Sequence, residues 1–248
     1  MSVMVKKNVA TFEQDDRQNS LCRYVANAPF SSQVSNRRLS DETDKIIRAL
    51  GSKVRSVIDI GCGDGTYTHE LAVRMPGVSF TGFDPAAKAI EAAGQKFQAC
   101  TFTVGNVLDV STFPDRSFDL AIMRGVIHHL PLQKEAIENA FHLSSRLLII
   151  EPNGDNPILK IIERKSQYHI DHEEQSFSSA LFLRVARELG VEVKALTFVG
   201  FVPFFFPTLP AKVIHFFQPL LEKVPFLAKY FGGQIVLLLE CPQGRIKR

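Results

Sequence analysis

From residue 54 the chain alternates short apolar runs with segments of helical spacing. Val54–Ile60 is a β-branched run broken by Gly61-Cys62-Gly63-Asp64-Gly65. Thr66–Met75 carries Leu71 and Met75 one turn apart, which predicts a helix that Pro76-Gly77 stops. Val78–Asp84 predicts a second strand, and Pro85–Phe97 an Ala-rich helix with proline in its first turn. Cys100–Val104 and Phe118–Met123 read as the third and fourth strands, the latter followed by a helix from Leu132 to Leu143. Arg146–Glu151 is apolar at nearly every position, as a strand buried on both faces must be. Regular alternation of this kind implies an α/β fold, a mostly parallel sheet covered by helices on both faces. Val191–Val199 and Gln234–Glu240 complete seven strands, and we expect this last pair to run antiparallel to the rest.

Three regions depart from the rhythm. Residues 1–50 are polar and helix-prone, an N-terminal helical cap in which Asp41 is placed to cap Glu42–Leu50. Within the main unit, residues 51–248, the stretch 152–180 is long for a plain connection and reads as a lid insertion. Residues 200–233 hold eight of the chain's 20 phenylalanines. That insertion reads as extra core, a dimer surface, a hydrophobic pocket, or a loosely amphipathic membrane-surface element with Lys212, Lys223 and Lys229.

Composition narrows the function classes. With 45% hydrophobic residues in 248, the chain has apolar surface enough to fold. A formal net charge of +3, with no block of like charges, gives no footprint for nucleic acid. Cys22, Cys62, Cys100 and Cys241 form no C-x-x-C pair, so neither a zinc ribbon nor a redox dithiol is encoded. Thiols of this kind and an N-terminus without an apolar signal run suggest a cytoplasmic setting. The most apolar stretch, Phe198–Phe217, is interrupted by three prolines, Lys212 and His215, too broken to span a bilayer.

The chemistry concentrates at strand ends. In Val57-Ile58-Asp59-Ile60-Gly61-Cys62-Gly63-Asp64-Gly65-Thr66 a strand enters a glycine turn that opens a helix, where the backbone can approach a ligand closely. The spacing is G-x-G-x-G, with Thr66 where a dinucleotide fingerprint has its third glycine. Asp84 ends the second strand, where a carboxylate can take both hydroxyls of a ribose; capping the helix after Pro85 is a compatible role. Asn106 follows the third strand, as an amide for an adenine edge or as an ordinary turn residue.

These motifs resemble the class I S-adenosylmethionine-dependent methyltransferases of small-molecule type, clearly over residues 54–151. The resemblance implies a Rossmann-like sheet, S-adenosylmethionine as cofactor and S-adenosylhomocysteine as product. It implies cofactor contacts from Asp59, Gly61, Cys62, Gly63, Gly65, Asp84, Pro85, Asn106 and Val107, with Arg124 and Gly125 near the methionine end. Asn106 stands where many relatives have Asp, and Asp119 matches the acid of the fourth strand's "FDLAI". A leading helical segment covers the cofactor in such enzymes, so Tyr24 is a candidate to close over it, or else packs on the sheet.

Gly125-Val126-Ile127-His128-His129-Leu130 lies where the methyl group should project. His129, or else His128, is expected to face the acceptor as a general base; the alternative is one buried and one solvated histidine starting a helix. Tyr168, His169 and His172 are expected to line the acceptor pocket rather than bind metal, since nothing completes a ligand shell. Glu151 and Asn153 leave the same edge as pocket or structural residues. Methyl transfer to oxygen or nitrogen of a small, hydrophobic acceptor is the expected function, with a lipid- or quinone-type acceptor at a membrane surface as its variant. A nicotinamide oxidoreductase and a non-catalytic cofactor-binding module are the rival classes. The expected partner is a small molecule, with a homodimer or peripheral membrane contact through 200–233 open.

Overall fold

The computed structural model describes residues 30–165 and 175–242. Tyr24, Tyr168, His169 and His172 lie outside the described residues. Seven strands form one sheet: β1 (Ser56–Ile60), β2 (Ser79–Asp84), β3 (Thr101–Val104), β4 (Leu120–Arg124), β5 (Arg146–Pro152), β6 (Glu192–Val199) and β7 (Gln234–Glu240). Their order is β3-β2-β1-β4-β5-β7-β6. The expected seven-stranded, mostly parallel α/β sheet is borne out.

The strand directions correct one expectation. β7 pairs antiparallel with both β5 and β6, so β7 alone runs against the others and β6 is parallel to them. The reason is topological: a helical crossover after β5 delivers β6 in the parallel sense. The chain then returns through 200–233 and slots β7 between the two.

Side-chain alternation sorts the core into two faces. Ile58, Ile60, Ala121, Met123, Leu147, Ile149, Leu237 and Leu239 point one way, onto α4 (Gln133–Leu143) and α6 (Ser179–Leu189). Val57, Leu120, Ile122, Leu148, Ile150, Val236 and Leu238 point the other way, onto α1 (Phe30–Leu50) and α2 (Thr66–Arg74). Each fully buried Leu or Ile contributes roughly 1.5–3 kcal/mol. The remaining described helices are α3 (Ala87–Lys96), α5 (Pro157–Lys165), α7 (Thr208–Leu221) and α8 (Pro225–Phe231).

The N-terminal helix is longer than expected, and Asp41 caps nothing. Asp41 sits in the middle of α1 and pairs with Arg74 Nη1 at 2.6 Å. The buried face of α1 holds Ser31, Ser32, Ser35, Ser40 and Thr43. Ser31 Oγ donates to the Phe204 carbonyl at 2.8 Å, and Ser35 Oγ to that of Val202 at 2.6 Å. Hydroxyls thus satisfy carbonyls of the insertion that would otherwise be buried without a donor. Arg38 grips Glu222 of the insertion through Nε and Nη2 and also pairs with Glu42.

The insertion 200–233 is not extra core. Phe205, Phe216 and Phe226 are 66%, 77% and 64% exposed, although Phe204 packs against the sheet. Among the described residues, no helix is long and apolar enough to cross a membrane.

Candidate active site

The glycine turn joins β1 to α2, and its three glycines take left-handed backbone: Gly61 φ 72°, Gly63 φ 54° and Gly65 φ 73°. A Cβ on Gly61 would lie 2.5 Å from Val126, and one on Gly65 2.6 Å from the Phe102 ring. The turn is therefore held to glycine by conformation and by packing. Gly82 of β2 is a further requirement that the sequence pattern did not reveal, since a Cβ there would meet Cys62 Sγ at 2.8 Å. Burial pushes the Cys62 thiol far up, with Asp59 and Asp84 adding to the effect, so Cys62 packs as an inert thiol.

Asp84 closes onto this turn from the end of β2. Its Oδ2 accepts the Gly63 N–H at 3.0 Å and its Oδ1 the Ala86 N–H at 2.8 Å. Burial pushes its carboxyl up, opposed by those two bonds. Each oxygen takes one backbone donor and carries a second lone pair, which suits the two hydroxyls of a ribose. At the end of β3, Asn106 Oδ1 accepts the Leu108 N–H at 3.0 Å, so its oxygen serves its own turn. Val107 is buried beside it, and its carbonyl accepts from Asn139 Nδ2 at 2.9 Å.

The centre of the edge is a buried polar cluster. Asp59 is 2% exposed and accepts Thr68 Oγ1 at 2.6 Å. Burial pushes its carboxyl up to about 6, with the Thr68 bond and the Arg124 charge pulling the other way. Arg124 ends β4, lies 4.2 Å from the Tyr67 ring centroid, and donates through Nη2 to Asn36 Oδ1 at 2.6 Å. Tyr67 Oη in turn lies 2.6 Å from Thr43 Oγ1. Asn36, Thr43, Tyr67 and Thr68 went unremarked in the sequence because nothing local marks a helix residue that meets a strand end 88 positions away. Asp119, at the opposite end of β4, accepts the Arg55 and Ser56 N–H groups at 2.8 and 3.0 Å and is a structural acid.

Beyond Gly125 (φ 67°) a single 3₁₀ turn, Ile127–His129, carries both histidines. Glu151, 1% exposed at the end of β5, accepts the Val126 and Ile127 N–H groups on Oε1 at 2.7 and 2.8 Å. Its Oε2 lies 2.7 Å from His128 Nδ1. The His129 ring stacks at 3.9 Å from that of His128, tilted by 41°. Asn153 is fully buried and donates to the Lys229 and Gly232 carbonyls at 2.7 and 2.8 Å, a structural tie rather than a pocket residue. No cluster of three or more metal-ligating side chains occurs among the described residues.

These features line the carboxyl ends of adjacent parallel strands, where open α/β sheets bind ligands. A methyltransferase domain family model matches residues 52–190, more than half of the chain, and the chain belongs to that family. This match agrees with the resemblance of the glycine turn and Asp84 to the class I S-adenosylmethionine-dependent methyltransferases.

Among curated proteins, trans-aconitate 2-methyltransferase of Paracidovorax citrulli is 33% identical over 89 residues. That alignment spans 34% of this chain and about a third, 34%, of the relative's length. Solved structures share the fold over nearly the whole chain. Magnesium protoporphyrin IX methyltransferase from Synechocystis PCC 6803 aligns with TM-score 0.63 at 14% identity, covering 95% of this chain and 97% of its own. A possible histamine N-methyltransferase from Thermotoga maritima aligns with TM-score 0.61 at 16% identity, covering 96% and 100%.

Proposed function

We propose that the protein methylates an oxygen or nitrogen of a small, hydrophobic acceptor, with His128 as general base and Glu151 as the residue that positions it. The observation that carries the reading is the Glu151–His128 pair at 2.7 Å, set beside the glycine turn. Val126, two residues before His128, is the side chain that excludes a Cβ at Gly61, so turn and dyad share one packed contact.

When bound, S-adenosylmethionine supplies an electrophilic methyl group on a sulfonium and leaves as a neutral thioether. Gly61, Gly63 and Gly65 would present backbone to it, Asp84 would hold its ribose, and Asn106 and Val107 would border its adenine. Asp59, Arg124 and Gly125 would surround its methionine end. Pro85 and Cys62 would shape the walls of the same cradle.

Glu151 beside Nδ1 orients the His128 ring, and in the tautomer that donates Nδ1–H to Glu151 the basic nitrogen is Nε2. His128 Nε2 would take up the proton that the acceptor O–H or N–H gives up as it is methylated. Positioning and exclusion of water supply most of the remaining acceleration. This geometry favours His128 over His129, the reverse of the order expected from sequence. His129 packs its ring on His128 and borders the acceptor.

The exposed insertion 200–233 supports a bilayer-facing version of this function over a twofold dimer. Tritiated S-adenosylmethionine incubated with wild-type protein and total cell extract tests the reading. Label is expected in the organic-solvent-extractable fraction, and to fall at least ~100-fold with His128→Ala. Label confined to the aqueous phase contradicts the hydrophobic acceptor.

A further inference from the structure

Helix α7 is amphipathic in the inverted sense. Its inward face carries Ala211 and Gln218, and just past its end Glu222, all polar or small. Gln218 Oε1 accepts the Phe201 N–H at 3.1 Å, while Glu222 accepts the Gly200 N–H at 3.0 Å and the Arg38 guanidinium. Its outward face carries Leu209, Val213, Phe216, Phe217 and Leu220, all at least 49% exposed. A helix of a water-exposed surface shows the opposite arrangement. Helix α8 continues the pattern, with Ala228 inside and Phe226, Tyr230 and Phe231 outside. So contiguous a run of exposed aromatic and aliphatic side chains marks an interaction surface.

We propose that α7 and α8 dock this surface onto an anionic lipid bilayer, lying in the interface plane. Charge selects the occupant. Residues 200–233 contain Lys212, Lys223 and Lys229 but only one acid, Glu222, which Arg38 neutralises from beneath. The rim of the patch is therefore cationic, as an interfacial helix pair on acidic headgroups requires. A twofold dimer through the same face would set lysines of both copies together without an acid of the insertion to meet them.

Placement supports the same occupant. Asn153, two residues beyond Glu151 on β5, binds the Lys229 and Gly232 carbonyls and so fixes α8 to the strand that carries the dyad's carboxylate. The patch thus belongs to the end of the sheet where the acceptor would react. Docking there lets a lipid-soluble acceptor reach the dyad from the bilayer. That last step rests on the proposed function, whereas docking itself requires neither cofactor nor acceptor.

Flotation of the full chain with phosphatidylcholine vesicles, and with the same vesicles containing phosphatidylglycerol, tests the proposal. Binding is expected on the phosphatidylglycerol vesicles, weaker by roughly five-fold for each of Lys212→Glu, Lys223→Glu and Lys229→Glu. Phe216→Glu and Leu220→Glu, on side chains already in water, should each weaken it by at least ~10-fold without moving the melting temperature or the affinity for S-adenosylhomocysteine. No binding to either vesicle overturns the proposal, and so does sedimentation as a dimer that Phe216→Glu dissolves without any vesicle binding. A protein that binds vesicles yet transfers no methyl group keeps the docking and sinks only the proposed function.

Discussion

His128 Nδ1 and Glu151 Oε2 stand 2.7 Å apart at the ends of two neighbouring parallel strands, with the Glu151 carboxylate also accepting the backbone N–H groups of Val126 and Ile127. One buried acid therefore shapes the turn and orients the histidine beside it. His128→Ala should lower kcat by ~100-fold or more while leaving S-adenosylhomocysteine affinity unchanged. His129→Ala should stay within a few-fold of wild type.

Glu151→Gln separates positioning from packing. The amide oxygen still accepts from Val126 and Ile127, so its NH₂ faces His128 Nδ1 and forces the ring proton onto Nε2. Turnover should fall nearly as far as in His128→Ala, with the acidic limb of the pH–rate profile displaced and KM for the donor unchanged. A normal profile would reduce Glu151 to a structural acid.

Asp59 links the site to stability. Burial holds its carboxyl at about 6, above the ordinary 3.8, so the folded state favours the protonated form. That contribution is full below pH 3.8 and is lost as pH rises through about 6. Asp59→Asn cannot ionise, and its amide oxygen still accepts the Thr68 hydroxyl. Thermal melts should show the variant more stable than wild type by on the order of 2–3 kcal/mol at pH 8, the gap closing near pH 4. Cofactor affinity should fall at the same time. Parallel melting curves across that range would contradict the account.

The Arg38–Glu222 contact fastens the insertion to α1. Glu222→Ala removes both the guanidinium's partner and the acceptor of the Gly200 N–H, and should cost roughly 2–3 kcal/mol of stability by chemical denaturation. Arg38→Lys, which keeps the charge but not the forked geometry, should recover only part of the loss.

Much of this architecture is legible in the chain because strands buried on both faces write themselves as apolar runs, as β1, β4 and β5 do. The glycine turn and Asp84 were legible because a left-handed backbone and an acid at a strand end are local signals. Helix α1 was misjudged for a physical reason. The first two turns of its buried face are serine, with Ser31 and Ser35 bonded to carbonyls about 170 positions away, and its apolar residues begin only at Leu39, so no apolar period marks the helix start. The direction of β6 was hidden because it depends on the crossover before it rather than on its own residues. The dyad was half visible: both partners were noticed, but their meeting depends on the pairing of β4 with β5.

The grip of Asp84 on the glycine turn carries the central claim, and calorimetry with S-adenosylhomocysteine tests it most directly. Wild-type protein should bind one equivalent, and Asp84→Ala should lose ~2–3 kcal/mol of that binding while remaining folded. Absence of heat with the wild-type protein, or an Asp84→Ala variant that binds as tightly, would contradict it.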